Sequence, residues 1–163
     1  MKAYLDNNVV CSIAKDDTPA ESAALNRLLV ASEEAKVDLV TSELTLKEIQ
    51  AYQGKSRSIS ERTFRLLEKV PIVRWDELIG INIHGDKNTW VNAPMIQNDP
   101  LYGKLLALGL GTVDAQHVFV AAKNACDAFL TCDKGILRHG PAIGKLCSLV
   151  VQKPSSYVAS HGW

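Results

Sequence analysis

The sequence predicts an α/β domain built on a parallel sheet. Short apolar runs typical of buried strands alternate with longer amphipathic stretches, which is the usual pattern of such a domain. The chain has 163 residues, enough for one domain with a hydrophobic core and too few for two of ordinary size. We therefore expect a single domain over residues 1–163. Near residues 80–100 the periodicity fails and Gly, Asn, Asp and Pro accumulate, so an irregular excursion is expected there.

The N-terminal segment predicts a strand over Lys2–Leu5 and then a long helix that starts at Thr18. Thr18 is a typical N-cap, Pro19 suits the first helical position, and Glu21 completes a capping box. Apolar residues then recur at helical spacing. One face of this helix is therefore expected to pack on the sheet.

The middle of the chain continues with a second strand over residues 37–41 and a helix that Ser42 caps. A further amphipathic helix opens at Ser58 and ends before Pro71, which cannot continue it. Ile72 and Val73 then form a short edge strand. These elements extend the alternation of strand and helix.

Two more helices are expected after the irregular excursion. Asp99 followed by Pro100 resembles a helix start, and Gly109 resembles a helix stop. Gly111 opens the second helix, which runs to about Asn124.

The C-terminal segment predicts a buried strand over residues 128–131 and a short turn of helix near residues 135–138. A final strand over residues 146–151 and a tail ending at Trp163 follow. The pattern thus places two strands near the end of the chain, where the sheet is completed.

Composition excludes few functions. The chain carries 18 basic and 18 acidic residues, so bulk charge argues neither for nor against nucleic acid. A local surplus of positive charge lies in residues 53–69, which is typical of a solvated helical hairpin. The 4 cysteines lack a C-x-x-C spacing, so reduced thiols are expected rather than a zinc ribbon. No apolar run approaches the ~20 residues of a membrane span, and we expect a cytoplasmic protein.

Four carboxylates occupy positions that packing does not explain: Asp6, Glu48, Asp114 and Asp133. Asp6 and Asp133 each follow a buried strand, while Glu48 and Asp114 fall on the inward faces of predicted helices. At ~4 Å and an effective dielectric of ~20, each like-charged pair costs roughly 4 kcal/mol. Either each acid has its own partner, or together they bind a cation that removes the repulsion. A divalent metal ion explains all four acids at once.

The chemistry of these ligands favours one or two Mg²⁺ or Mn²⁺ ions over zinc, since every donor is oxygen. The crevice where a parallel sheet reverses its strand order is where such folds bind ligands, and strand ends supply two of the acids. His117 follows Asp114 by one helical turn, which also allows an Asp-x-x-His metal pair. No second His or Cys motif converges there, so we favour the carboxylates.

Four short motifs carry a resemblance to a known family, and they span nearly the whole chain. They are YLDNNV at residues 4–9, TSELTLKEI at 41–49, TVDA at 112–115 and LTCDK at 130–134. In this order the chain resembles the PIN-domain nucleases, including the VapC-like toxins of bacterial toxin–antitoxin pairs. The resemblance implies a three-layer α/β/α sandwich with a twisted, mostly parallel sheet, a magnesium- or manganese-dependent ribonuclease activity, and often a homodimer.

The same resemblance implies that the four acids are the catalytic and metal-binding residues. We expect Asp6 to bridge the metal, Asp114 and Asp133 to complete its coordination directly or through water, and Glu48 to orient or deprotonate the attacking water. Asn7 and Thr131 are expected to hold carboxylates by hydrogen bonds, or else to cap local turns. The basic residues expected to contact RNA phosphates, unless they are ordinary surface charge, are Lys134, Arg138, Arg57, Arg62 and Arg65.

Two functions are the main candidates; a third, a flap-type nuclease acting on DNA, would need clamp elements for which the chain lacks room. The first is a divalent-metal-dependent endoribonuclease, with RNA as its substrate and, if the chain is the toxin of such a pair, an antitoxin protein as its partner. The alternative is a catalytically silent PIN-like module that binds RNA or protein and whose acids are structural. Cleavage of RNA with added Mn²⁺ separates them.

Overall fold

The computed structural model describes residues 1–15, 18–51, 68–73 and 99–163. Within these ranges the strands form one sheet with the order β3-β2-β1-β4-β5, and all its pairs are parallel. The elements in chain order are β1 (Lys2–Leu5), α1 (Asn7–Lys15), α2 (Pro19–Glu33), β2 (Asp38–Ser42), α3 (Glu43–Ala51), β3 (Ile72–Val73), α4 (Pro100–Ala107), α5 (Thr112–Lys123), β4 (Ala128–Leu130), α6 (Lys134–Cys147), β5 (Val150–Gln152) and α7 (Pro154–His161).

Strand β1 lies at the centre of the sheet. Ala3 is opposite Leu39 of β2 on one side and opposite Ala128 of β4 on the other. The chain first extends the sheet from β1 through β2 to β3, then returns to the other side of β1 and adds β4 and β5. The strand order therefore reverses at the boundary of β1 and β4.

Alternating side chains of the central strands enter two separate hydrophobic clusters. Leu5 of β1 packs with residues of α1, α2 and α7, such as Leu25, whereas the adjacent Tyr4 packs with residues of α4, α5 and α6, such as Ile143. A period of two residues is what a strand covered on both faces requires. Each fully buried Leu or Ile adds roughly 1.5–3 kcal/mol. The expected three-layer α/β/α sandwich is thus confirmed.

Several element predictions are confirmed, including β1, the edge strand β3, and the two helices that begin after Asp99 and Gly111. The carboxylate of Asp99 accepts a hydrogen bond from the backbone of Leu101 at 2.9 Å, so it caps α4 as expected. The capping box at α2 is wrong. Thr18 occupies the N-cap position without a side-chain capping bond, and Glu21 instead binds Ser155 of α7.

The C-terminal predictions need correction. A short turn was expected near residues 135–138, but the structure has a helix of 14 residues that continues through Pro141. The strand expected over residues 146–151 is the shorter Val150–Gln152. The expected tail forms helix α7. Glycine and proline inside a segment usually argue against a long helix. A Cβ on Gly140 would stand 3.3 Å from Cβ of Val151, so the glycine lets α6 pack closely on β5. Helix α1 was not predicted.

Some predictions fall outside the described residues: the helix opening at Ser58, the excursion up to residue 98, and the three basic side chains Arg57, Arg62 and Arg65. Within the described ranges, no helix combines the length and the apolar character that crossing a membrane requires. The sandwich described above is formed by the four described ranges.

Candidate catalytic and metal-binding site

The candidate site lies at the carboxyl edge of the sheet, where the strand order reverses between β1 and β4. Asp6 directly follows β1, and its backbone N–H donates to the carbonyl of Leu130 at 3.1 Å. Thr131 directly follows β4. The ends of two adjacent parallel strands therefore bring these side chains to one place, the usual ligand position of an open α/β sheet.

Asp6 is buried, with an exposed fraction of 4%. Its Oδ2 accepts a hydrogen bond from the hydroxyl of Thr131 at 2.7 Å, and its Oδ1 accepts one from the backbone N–H of Asn7 at 2.8 Å. Burial raises the pKa of Asp6, Glu48 raises it further, and His117 and the two hydrogen bonds act in the opposite direction. A carboxylate at this point is costly, which is typical of a functional group.

Thr131 connects three segments of the site. Besides donating to Asp6, its hydroxyl accepts the backbone N–H of Asp133 at 3.0 Å. Asn8 lies beside it, and its side-chain oxygen accepts the backbone N–H of Cys132 at 2.9 Å. The start of α1 and the loop after β4 are thereby fixed to each other. This loop positions the fourth acid.

Asp133 forms the N-cap of α6. Its Oδ1 accepts the backbone N–H groups of Gly135 at 2.6 Å and Ile136 at 3.0 Å. A Cβ on Gly135 would come within 2.9 Å of that same oxygen, so a larger residue there would displace the capping carboxylate. Asp133 is therefore more than the strand-end carboxylate that the sequence suggested, because it also satisfies the first N–H groups of a helix.

The charges of the four acids interact between neighbours around the site. Glu48 interacts electrostatically with Asp6, and Asp114 interacts with both Glu48 and Asp133. Burial raises the pKa of Asp114, and the negative charge of Asp133 raises it further. Residues far apart in the sequence thus share one negative region at the carboxyl edge of the sheet. Asp114 and Glu48 are half-buried, so this region is open to solvent.

A buried polar chain lies beneath Glu48. His117 of α5 is 1% exposed, and its Nε2 stands 3.3 Å from Oε2 of Glu48, an ion-pair distance at which the two do not form a hydrogen bond. Its Nδ1 is 2.7 Å from the phenol oxygen of Tyr4, which is in turn 2.5 Å from Oγ of Ser42. Burial raises the pKa of Tyr4 above its usual range, so the phenol stays protonated.

The donor set suits a hydrated Mg²⁺ or Mn²⁺ ion. Across residues 1–15, 18–51, 68–73 and 99–163, no three His, Cys, Asp or Glu side chains stand close enough together to enclose a metal ion as they are placed. Mg²⁺ keeps several of its waters and commonly takes one or two carboxylates directly. Burial is the main cause that raises the pKa of Asp6 and of Asp114, neighbouring carboxylates raise both further, and a bound cation would lower them.

The other predicted site residues differ in how close they lie to the acids. Asn7 contacts Asp6 through its backbone, while its side-chain oxygen accepts a bond from Cys11 at 3.2 Å. Lys134 and Arg138 are exposed on the first turns of α6, next to Asp133. The arginines of residues 57–65 lie outside the described residues.

Sequence reasoning missed Tyr4, Ser42 and Asn8 as parts of the site, and it considered His117 only as a metal ligand. The pair of asparagines after Asp6 was a usable signal, because Asn side chains commonly bond nearby backbone groups. Tyr4 gave no such signal. In an apolar strand it resembles any other core aromatic residue, and it does stack on Phe129 with ring centroids 5.3 Å apart.

Comparisons with known proteins support the fold. No family model matches the chain, and no curated protein sequence matches it. A chain in the crystal structure of VapBC2 from Rickettsia felis, bound to a DNA fragment from their promoter, is similar in structure with a TM-score of 0.58. The two are 15% identical over 94% of this chain and 98% of the other. At this identity the likeness establishes a shared fold.

Proposed function

We propose that the chain is a divalent-metal-dependent endoribonuclease of the PIN type. The observation that carries the proposal is the shared negative region formed by Asp6, Glu48, Asp114 and Asp133 at the carboxyl edge of β1 and β4. Acidic oxygens in a partly open crevice are what a phosphodiester hydrolase needs to hold Mg²⁺ or Mn²⁺. The structural likeness to a VapBC2 chain agrees with this choice.

Each acid has a separate task in this proposal. Asp6 holds the ion from the buried end of the site, and Asp114 and Asp133 hold it directly or through water. Glu48 orients the attacking water and accepts its proton. When bound, the metal supplies a more acidic water and stabilises charge on the phosphate. Lys134 and Arg138 hold the RNA backbone beside Asp133.

Cleavage of RNA in Mn²⁺ tests the proposal. Purified protein should cut a single-stranded or structured RNA, and Asp6→Asn should abolish cutting while the circular dichroism spectrum stays unchanged. Asp38→Asn is the matched control, because Asp38 is exposed at the amino edge of the same sheet. It should retain full activity. Cutting that survives Asp6→Asn in a clean preparation would reject the assignment.

A silent binding module remains the second candidate, and one observation favours it. Asp6 and Asp133 already have hydrogen-bond partners within the protein, as structural carboxylates do. Calorimetric titration with Mn²⁺ separates the two functions. The nuclease should take up the ion specifically and lose that uptake in Asp6→Asn, whereas a silent module should take up none.

An antitoxin is the partner we propose if the chain belongs to a toxin–antitoxin pair. The structure with the similar fold is named as a complex, VapBC2, with promoter DNA. A partner that inhibits this site would place a basic side chain among the four acids. A short reading frame beside the gene, encoding a DNA-binding segment, would supply one. Its product should bind the wild-type chain and stop the cleavage of RNA.

A further inference from the structure

His117 is placed beside the acids, yet none of the tasks proposed above uses it. It is one of the largest fully buried polar side chains, with an exposed fraction of 1%. Both ring nitrogens face polar groups, but only one forms a hydrogen bond: Nδ1 bonds the phenol of Tyr4 at 2.7 Å, whereas Nε2 stands 3.3 Å from Oε2 of Glu48 without the geometry of a hydrogen bond. A buried imidazole between a phenol and a carboxylate is costly unless its protons match both neighbours.

The protons can be assigned from the chemistry of the neighbours. A carboxylate accepts hydrogen bonds and cannot donate them. The nitrogen that faces Glu48, Nε2, must therefore carry the proton, since the opposite tautomer would set a lone pair against a carboxylate oxygen. In a neutral imidazole this leaves Nδ1 as an acceptor, and Tyr4 donates to it.

Tyr4 and Ser42 complete the arrangement. A phenol has one proton, so a Tyr4 that donates to His117 must accept from Ser42, whose Oγ is 2.5 Å away. Two hydrogen bonds then run in one direction, from Ser42 through Tyr4 to His117, and they leave a proton on Nε2, 3.3 Å from Glu48. Hydrogen bonds aligned in this way strengthen one another in a buried site.

Glu48 is held differently from Asp6 and Asp133. Asp6 is held by Thr131 and a backbone N–H, and Asp133 is held by the start of α6. Among the described residues, His117 is the one charged or titratable cation within 4 Å of Glu48. A glutamate has three rotatable bonds, so a small rotation of Glu48 would let one oxygen accept the Nε2 proton and would set where its other oxygen points.

We infer that His117 is a positioning residue for Glu48, fixed as the Nε2–H tautomer by Tyr4 and Ser42. The inference rests on the proposed function, in which Glu48 orients the attacking water. His117 itself touches neither the RNA nor the ion. By attracting one carboxylate oxygen of Glu48 to its Nε2 proton, it directs the other toward the water.

The tautomer is tested directly by ¹⁵N NMR of the metal-free full chain at neutral pH. The signal of His117, assigned by its loss in His117→Asn, should show protonated Nε2 and unprotonated Nδ1. His161 is an internal control because its Nδ1 lies 2.8 Å from the carbonyl of Tyr157, which only accepts. His161 should show the opposite tautomer. A protonated Nδ1 at His117, or rapid averaging of both forms, would overturn the inference.

A pair of variants tests the positioning. The amide nitrogen of His117→Gln reaches roughly where Nε2 stands and can donate to Glu48, whereas His117→Asn reaches only the position of Nδ1. We expect Asn to lower kcat for RNA cleavage about 10–100-fold with KM unchanged, and Gln to recover most of that loss. If His117→Asn does not fold, Tyr4→Phe carries the test, because it keeps the ring and frees the tautomer.

The outcomes separate this inference from the proposed function. If the Gln and Asn variants lose the same amount of cleavage activity, in proportion to their loss of melting temperature, His117 only fills space. The inference would then fall. A wild-type protein that cleaves no RNA and takes up no Mn²⁺ would reject the nuclease. The tautomer of His117 in the NMR spectrum would still decide whether Glu48 is anchored as inferred.

Discussion

The hydroxyl of Thr131 donates a 2.7 Å hydrogen bond to Oδ2 of Asp6 across the boundary of β1 and β4. Thr131 is fully buried, and the same hydroxyl accepts the backbone N–H of Asp133 at 3.0 Å. One side chain thus fixes two of the four acids. Its removal should disturb both of them together.

Replacing Thr131 with Val should lower Mn²⁺-dependent cleavage about 10–100-fold, the range for a group that orients a metal-binding carboxylate. Val keeps the volume and removes the hydroxyl, so Asp6 loses a donor and the N–H of Asp133 loses its acceptor. An unsatisfied buried N–H costs about 1–3 kcal/mol, and the partly buried N–H of Asp133 should fall at the lower end of that range. Urea denaturation should therefore show a loss of stability of that size.

Thr131→Ser is the matched control, since it keeps the hydroxyl and removes only a methyl group. It should retain activity within a few-fold of wild type and lose about 1 kcal/mol from the smaller side chain. If Val and Ser lower cleavage equally, the hydroxyl does not position Asp6.

Asp114→Asn should stabilise the metal-free protein at neutral pH. Burial and the charge of Asp133 raise the pKa of Asp114 in the folded state, so the folded protein binds this proton more readily than the unfolded chain. The charged carboxyl therefore costs stability above the raised pKa, and that cost disappears as the pH falls through it. Asn removes the charge at every pH. Because solvent screens a half-buried group, the gain should stay below about 1 kcal/mol.

Thermal unfolding with and without Mn²⁺ checks this prediction. Without metal, Asp114→Asn should melt above wild type at pH 7, and the difference should shrink as the pH is lowered. With Mn²⁺ the order should reverse, because ligand binding stabilises only a protein that takes up the ion. A variant that melts below wild type without metal would mean that the charge of Asp114 stabilises the folded protein, contrary to the expectation.

The sheet and its inner helices were predictable because their signals are local. Alternating apolar residues and caps such as Asp99 determine where these elements begin, and β1, β3 and α4 lie as expected. Helix α6 was underestimated because Gly140 and Pro141 usually end helices. In the folded protein their fit against β5 outweighs this tendency, and that fit depends on residues distant in the sequence.

The candidate site was only half predictable for the same reason. The four acids are visible in the sequence because a carboxylate beside apolar residues is unusual. The contact of Tyr4 with His117 joins residues 113 positions apart, and neither residue is unusual where it stands. Such a contact becomes visible only after β1 and α5 pack together. Thr131 was predicted to hold a carboxylate, and it is the last residue of the predicted strand.

Glu21→Ala should destabilise the packing of α7 on α2. The buried carboxylate of Glu21 accepts the backbone N–H of Ser155 at 3.0 Å and its hydroxyl at 2.7 Å, so it satisfies the start of α7. Hydrogen bonds to a charged group contribute about 1.5–3 kcal/mol. We expect a loss of that size in the free energy of unfolding, measured with urea.

Ser155→Ala serves as the matched partial variant, since it removes the hydroxyl and keeps the backbone N–H. It should cost less than Glu21→Ala, and the double variant should cost less than the sum because the two residues share one interaction. Fully additive losses would show that Glu21 stabilises the protein in some other way.

A pair of glycines in helices should respond in opposite directions to the same substitution. Gly103 of α4 has no atom within 4 Å of an added Cβ, so Gly103→Ala should raise the free energy of unfolding by about 0.5–1 kcal/mol through helix propensity. At Gly140 an added Cβ would stand 3.3 Å from Cβ of Val151. It would also crowd the ring of the following Pro141. Gly140→Ala should therefore lose about 1–3 kcal/mol, and urea denaturation that shows a gain at both positions would mean that α6 can move away from β5.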